Sequence, residues 1–196
     1  MRSKPGPPMT LANMRENGVR AVIATCAALG VAAFLMVAVG ARSTAAAAQN
    51  DPVKAVAFLN VQFLNDHADL EPTTSAERIR LATIESLFKA KLEASGRYRF
   101  VSIPADAAAK IAAGPEVGAC GGCEFEYGKQ LGADYAVWIV VQKVSNLILN
   151  INVYMADVVT KKMTFVHSVD IRGNTDDSWL RGMTYMVKNY MLADPL

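Results

Sequence analysis

The chain has 196 residues, with 20 Lys and Arg against 18 Asp and Glu, a formal net charge of +2, and 52% hydrophobic against 19% charged residues. This length suits one ordinary domain plus an accessory segment rather than two full domains. So much apolar sequence and so little net charge exclude a disordered chain.

Residues 21–40 form an uncharged run, AVIATCAALGVAAFLMVAVG, of about the length that spans a bilayer's hydrocarbon core. Arg2, Lys4, Arg15 and Arg20 precede it against a single Glu16, so the positive-inside rule keeps the amino terminus in the cytoplasm and sends the rest across. Ser43 to Gln49 follow with the small residues of an A-x-A cleavage pattern. Residues 1–48 therefore read as a signal peptide or N-terminal membrane anchor. Cleavage within residues 45–49 is the first reading. A retained anchor stays open, because the apolar run exceeds the about 7–15 residues of a typical signal-peptide h-region. Ile23, Ala24 and Thr25 before Cys26 make a poor lipobox, which argues against lipidation there. Residues 49–196 are then a single α+β domain in the periplasm, in membrane contact only through residues 21–40 if the leader stays. Losing the leader removes more basic than acidic residues, and no nucleic-acid footprint remains.

Residues 52–63 (PVKAVAFLNVQF) read as a buried strand. After a polar loop, Thr74 and Glu77 form a capping box ahead of a helix whose Leu81, Ile84, Leu87, Phe88 and Leu92 share one face, ended by Gly96. Residues 98–103 read as a second strand stopped by Pro104, followed by an Ala-rich helical turn over 105–113. A Gly-rich loop carries Cys120 and Cys123, and a helical run over 124–131 closes at Gly132. Residues 135–141, 147–158 and 163–171 are three β-type runs joined by short turns, an expected antiparallel meander. Leu149, Ile151, Val153 and Met155 alternate with Asn150, Asn152 and Tyr154, which predicts a sheet with one wet face there. Met163, Phe165, His167, Val169 and Ile171 read as one core-facing set. A cap cluster at Thr175 to Ser178 opens a last helix, docked through Trp179, Leu180, Met183 and Val187. The expected architecture is α+β: a mixed sheet of about five strands, in the order β-α-β-α-β-β-β-α, with helices packed on one side.

Leu131-Gly132-Ala133-Asp134-Tyr135 leading into residues 141–149, together with residues 170–179 (DIRGNTDDSW), resembles a family of exported proteobacterial proteins that carries only a domain-of-unknown-function label. The resemblance covers most of residues 53–192 and implies no activity. More distantly, the order of elements is similar to the amino-terminal domain of periplasmic TolB and related envelope lipoproteins, which implies protein contacts in the envelope.

Cys120-Gly121-Gly122-Cys123 is the sharpest chemical motif. In an oxidising compartment it reads first as a structural disulfide. A redox pair at a helix amino terminus, or a metal-handling pair, is the alternative. Asp66, His67 and Asp69 share a loop with Glu71 and are weak cation ligands in a pattern that matches no EF-hand. Asp170, Arg172, Asn174, Asp176 and Asp177 are dense enough to form a polar site, although turn and cap chemistry accounts for them. Asn150, Asn152 and Tyr154 are the candidate interaction face. No nucleophile elbow or phosphate-cradling loop occurs, no cofactor is expected, and the reading is a non-catalytic interaction or assembly module whose partner is another envelope protein.

Overall fold

A computed structural model describes residues 52–193; the leader lies outside them. β1 (Lys54–Asn65) leads to α1 (Ser75–Ala94), β2 (Tyr98–Phe100), α2 (Ala105–Ala113), α3 (Cys123–Gln130), β3 (Tyr135–Lys143), β4 (Ile148–Asp157), β5 (Lys162–Arg172) and α4 (Asp176–Met186), which runs on into one wide π turn, Val187–Met191. The fold is α+β, and the strands form one mixed sheet in the order β2-β1-β3-β4-β5. β1 is parallel to both β2 and β3, whereas β3, β4 and β5 form the expected antiparallel meander. No helix among the described residues is long and apolar enough to cross a membrane.

Local chemistry sets the boundaries. Thr74 Oγ1 accepts from the Glu77 amide while the Glu77 carboxylate accepts from the Thr74 amide, a complete capping box at the start of α1. Thr175 and Ser178 build a second one at α4. Between β4 and β5, Asp157 Oδ1 accepts from the amides of Val159 and Thr160, which closes the hairpin at the turn that the sequence marks. β2 is only three residues long, shorter than the expected 98–103, because the chain leaves the sheet ahead of Pro104.

The helices lie on both sides of the sheet, not on one. α1 and α4 cover the first face, where Ile84, Phe88 and Leu92 of α1 and Trp179, Met183 and Met186 of α4 bury Val56, Phe58, Val137, Ile139, Val141, Leu149, Ile151, Val153 and Met155. α2 and α3 cover part of the second face, over Ala57, Leu59, Ala136, Trp138, Ala156 and Val158. The physical reason is side-chain size. Ala57, Ala136 and Ala156 leave a shallow floor, and Gly128 of α3 sits so low on it that a Cβ there would lie 2.5 Å from Val158 Cγ2 and 3.4 Å from Ala136 Cβ. Gly182 of α4 makes a similar close approach to Ile171 on the first face.

Two bulges alter which side chains share a face. In β1, Phe58 pairs with Val137 and Asn60 with Trp138, so Leu59 is an extra residue. In β5, Met155 pairs with Phe165 but Ala156 with Met163, so Thr164 is extra and Met163 turns to the second face, half exposed, instead of joining the core set. Leu180 is also corrected: it is 36% exposed, whereas Trp179 beside it is fully buried. Both ends of the domain meet at Arg97, whose carbonyl accepts from the Lys54 amide at 2.9 Å and whose guanidinium donates to the Met191 carbonyl at 3.3 Å.

Candidate functional site

The helices stop part-way along the second face, and strand register shows what lies beyond them. Trp138, Tyr154 and Val166 stand side by side in one row across β3, β4 and β5. Val140, Asn152 and Ser168 form the next, and Gln142, Asn150 and Asp170 the one after. β1 adds Gln62 beside Val140 and Leu64 beside Gln142. The Tyr154 ring lies flat on the Trp138 indole, with centroids 5.2 Å apart and planes 7° apart. The Asn152 amide donates to Asn150 Oδ1 at 2.6 Å and to the Val140 carbonyl at 3.2 Å. The Gln62 amide donates to the Val117 carbonyl at 3.0 Å, which ties the Gly-rich loop to the sheet. A groove results, with Val140, Tyr154, Met163 and Val166 on its floor and residues 116–119, Glu124 and Phe125 as its wall. Asn150, Asn152 and Tyr154, singled out by alternation, all belong to this face.

The wall carries the cysteines. Cys120 and Cys123 are joined by a disulfide, with Cα atoms 5.7 Å apart. Cys123 is the first residue of α3, one earlier than expected for this helix. The Cys123 amide donates to Cys120 Sγ at 3.1 Å, and Glu124, 8% exposed, places Oε2 3.2 Å from the same sulfur.

A second polar cluster closes the other side of the sheet, where β1 and β3 end. The Glu77 carboxylate is fully buried, and Oε1 accepts from Lys143 Nζ at 2.9 Å and from the Asn174 amide at 2.7 Å. Burial alone would push the Glu77 carboxyl up, but the Thr74 amide and hydroxyl, the Lys143 ammonium and the Asn174 amide hold it down to about 2. Burial pulls the Lys143 ammonium down, but the Glu77 carboxylate and that of Glu71, 3.3 Å away, keep it above its ordinary pKa. Asn174 Oδ1 also accepts from Trp179 Nε1 at 3.0 Å and Arg80 Nη1 at 3.1 Å. This cluster joins α1, the β3–β4 turn and the β5–α4 loop. Its ionisable core is saturated by protein groups and acts as a structural knot.

The polar run from Asp170 to Asp177 does not converge on one site. Asn174 belongs to the knot, and Asp176 reaches it through Arg80 at 2.6 Å. Asp177 pairs with Arg181 on the surface, and Asp170 and Arg172 are exposed on β5. Asp66, His67 and Asp69 are exposed in the loop after β1, where Asp66 accepts from the Gln142 amide. Among the described residues, the one group of three metal-ligating side chains with close ligand atoms is Cys120, Cys123 and Glu124. Sequence reasoning did not single out Lys143 or Glu124. Lys143 closes an apolar strand as its first charge, and Glu124 stands four residues after Cys120, both faint signals.

The structure is similar to the C-terminal domain of LpoB from Salmonella enterica, at 14% identity over 61% of this chain and 82% of that one, with a TM-score of 0.42. It is similar to lipoprotein GNA1162 from Neisseria meningitidis, at 14% identity over 73% and 99% of the two chains and a TM-score of 0.44. It is also similar to TolB from Acinetobacter baumannii, at 12% identity over 71% and 29% and a TM-score of 0.39. No curated protein sequence matches the chain. The DUF3280 family, described as a protein of unknown function (DUF2380), matches residues 54–191, and the chain belongs to it.

Proposed function

We propose that this is a protein-interaction domain working in the periplasm, which holds another envelope protein on the bare half of its second sheet face. The observation that carries the reading is the uncovered apolar patch of Leu64, Val140, Tyr154, Met163 and Val166, which spans several rows of the sheet beside the amides of Gln62, Asn150 and Asn152. Val166 is 54% exposed, and Leu64 and Met163 are each 42% exposed. Apolar side chains gathered in a groove and rimmed by amides suit a partner's apolar segment with hydrogen-bonding groups at its edges. The ionisable residues support a binding rather than a chemical role: the strongly shifted carboxylate, Glu77, is spent on Lys143, Asn174 and Thr74, away from the groove. The disulfide supports an oxidising compartment.

The test is a photo-crosslinking residue placed at Val166 in the full-length protein in cells, with Ile79, 67% exposed on the outer side of α1, as the control. A discrete protein adduct at Val166 and none at Ile79 is expected. Equal labelling at both positions, or none at Val166, defeats the reading.

A further inference from the structure

Glu124 is a buried carboxylate facing a sulfur. Oε2 lies 3.2 Å from Cys120 Sγ, and among the described residues no hydrogen-bond donor reaches this side chain. While Cys120 is bonded to Cys123, its sulfur has no proton to give, so Oε2 faces an atom that cannot donate to it. Reduction changes this, because a Cys120 thiol can donate to Oε2 along the contact already present. An acceptor that gains a donor in one redox state and lacks it in the other favours the first. A disulfide serving only as a clamp gains nothing from such a neighbour.

We propose that Cys120–Cys123 is an exchangeable redox bond, with Glu124 as the group that receives the Cys120 S–H when the bond is reduced. The co-reactant is a dithiol of another protein. Its thiolate attacks Cys123 Sγ, a mixed disulfide forms, the Cys120–Cys123 bond breaks and its electron pair goes to Cys120 Sγ. That leaving thiolate is held by the Cys123 amide at 3.1 Å, at the amino terminus of α3. It then takes up a proton from solvent, and the resulting S–H donates a hydrogen bond to Glu124 Oε2. The co-reactant's second thiolate displaces Cys123, which is protonated in turn. In sum the partner dithiol loses two electrons and two protons and becomes a disulfide, and this chain gains them as two thiols. Neither cysteine is sealed in the core, since each is only partly covered. The inference goes beyond the docking reading and does not depend on it: adducts at Val166 report the groove, thiol content reports this site.

The experiment equilibrates purified full-length protein with graded mixtures of reduced and oxidised glutathione at pH 7 and counts thiols by mass-shifting alkylation. A reversible two-thiol transition within those mixtures is expected. Glu124→Gln should make the bond harder to reduce, by about tenfold in the equilibrium constant, or about 30 mV for a two-electron couple. A bond that stays oxidised in every mixture, or a midpoint that Glu124→Gln leaves in place, overturns the proposal. The first result needs no variant, and if Glu124→Gln does not fold, Glu124→Asp, whose carboxylate is one methylene shorter, gives the same comparison of midpoints.

Discussion

Lys143 Nζ lies 2.9 Å from Glu77 Oε1, and both side chains are buried although 66 residues separate them. Breaking such a pair from one side strands the other charge in the interior. Glu77→Gln should therefore lower stability by about 3–5 kcal/mol in chemical denaturation. A loss below about 1 kcal/mol would mean that Glu71, 3.3 Å from Lys143, suffices as its counter-ion.

The same carboxylate sets an acid limit. The folded protein holds the Glu77 pKa at about 2, below its ordinary 4.5, so the unfolded chain binds this proton more readily. Its contribution to stability is complete above about pH 4.5 and is lost as the pH falls towards 2. Melting temperatures measured across that window should drop more steeply in the unaltered protein than in Glu77→Gln.

Trp179 is fully buried, 5.9 Å from the Phe63 ring, with its indole N–H on Asn174. Trp179→Ala should cost about 3–5 kcal/mol. Leu180→Ala, one residue on but at the surface, should cost under about 1 kcal/mol. Comparable losses in the two variants would contradict the placement of α4.

Gly182→Ala drives a methyl into Ile171 and should destabilise by about 1–3 kcal/mol. Pairing it with Ile171→Val tests the cause, because the smaller neighbour should recover part of the loss. Additive losses would locate the strain elsewhere.

On the groove, Met163→Lys should leave the melting temperature nearly unchanged, since this side chain is 42% exposed, and should abolish the adduct formed from the crosslinking residue at Val166. Retained capture would move the docking surface off β5.

What the sequence made legible was short-range. The Thr74–Glu77 cap, the Asp157 turn and the alternation of β4 are each written within a few residues of one another. Two errors came from one-residue events: Thr164 bulges and turns Met163 over, and Leu180 falls just outside the arc of α4 that buries Trp179 and Met183. Placing every helix on one side failed because Ala57, Ala136 and Ala156 look like mild strand residues, and only three-dimensional stacking makes them a seat for α3. The knot was hidden for a plainer reason. Glu77 was visible as a cap, but nothing local ties it to Lys143 or Asn174.

Arg97 grips the first strand with its carbonyl and the last helical turn with its guanidinium, so Lys54 and Met191 lie within one side chain's reach. The order in which the chain visits its elements is thus nearly a closed circuit. A linker of a few residues from Met191 to Lys54 would complete it, and the chain could be opened instead at an exposed turn such as Val159–Thr160. What defines this domain is the ring of packed elements, and its start and finish are a matter of where the ring is cut.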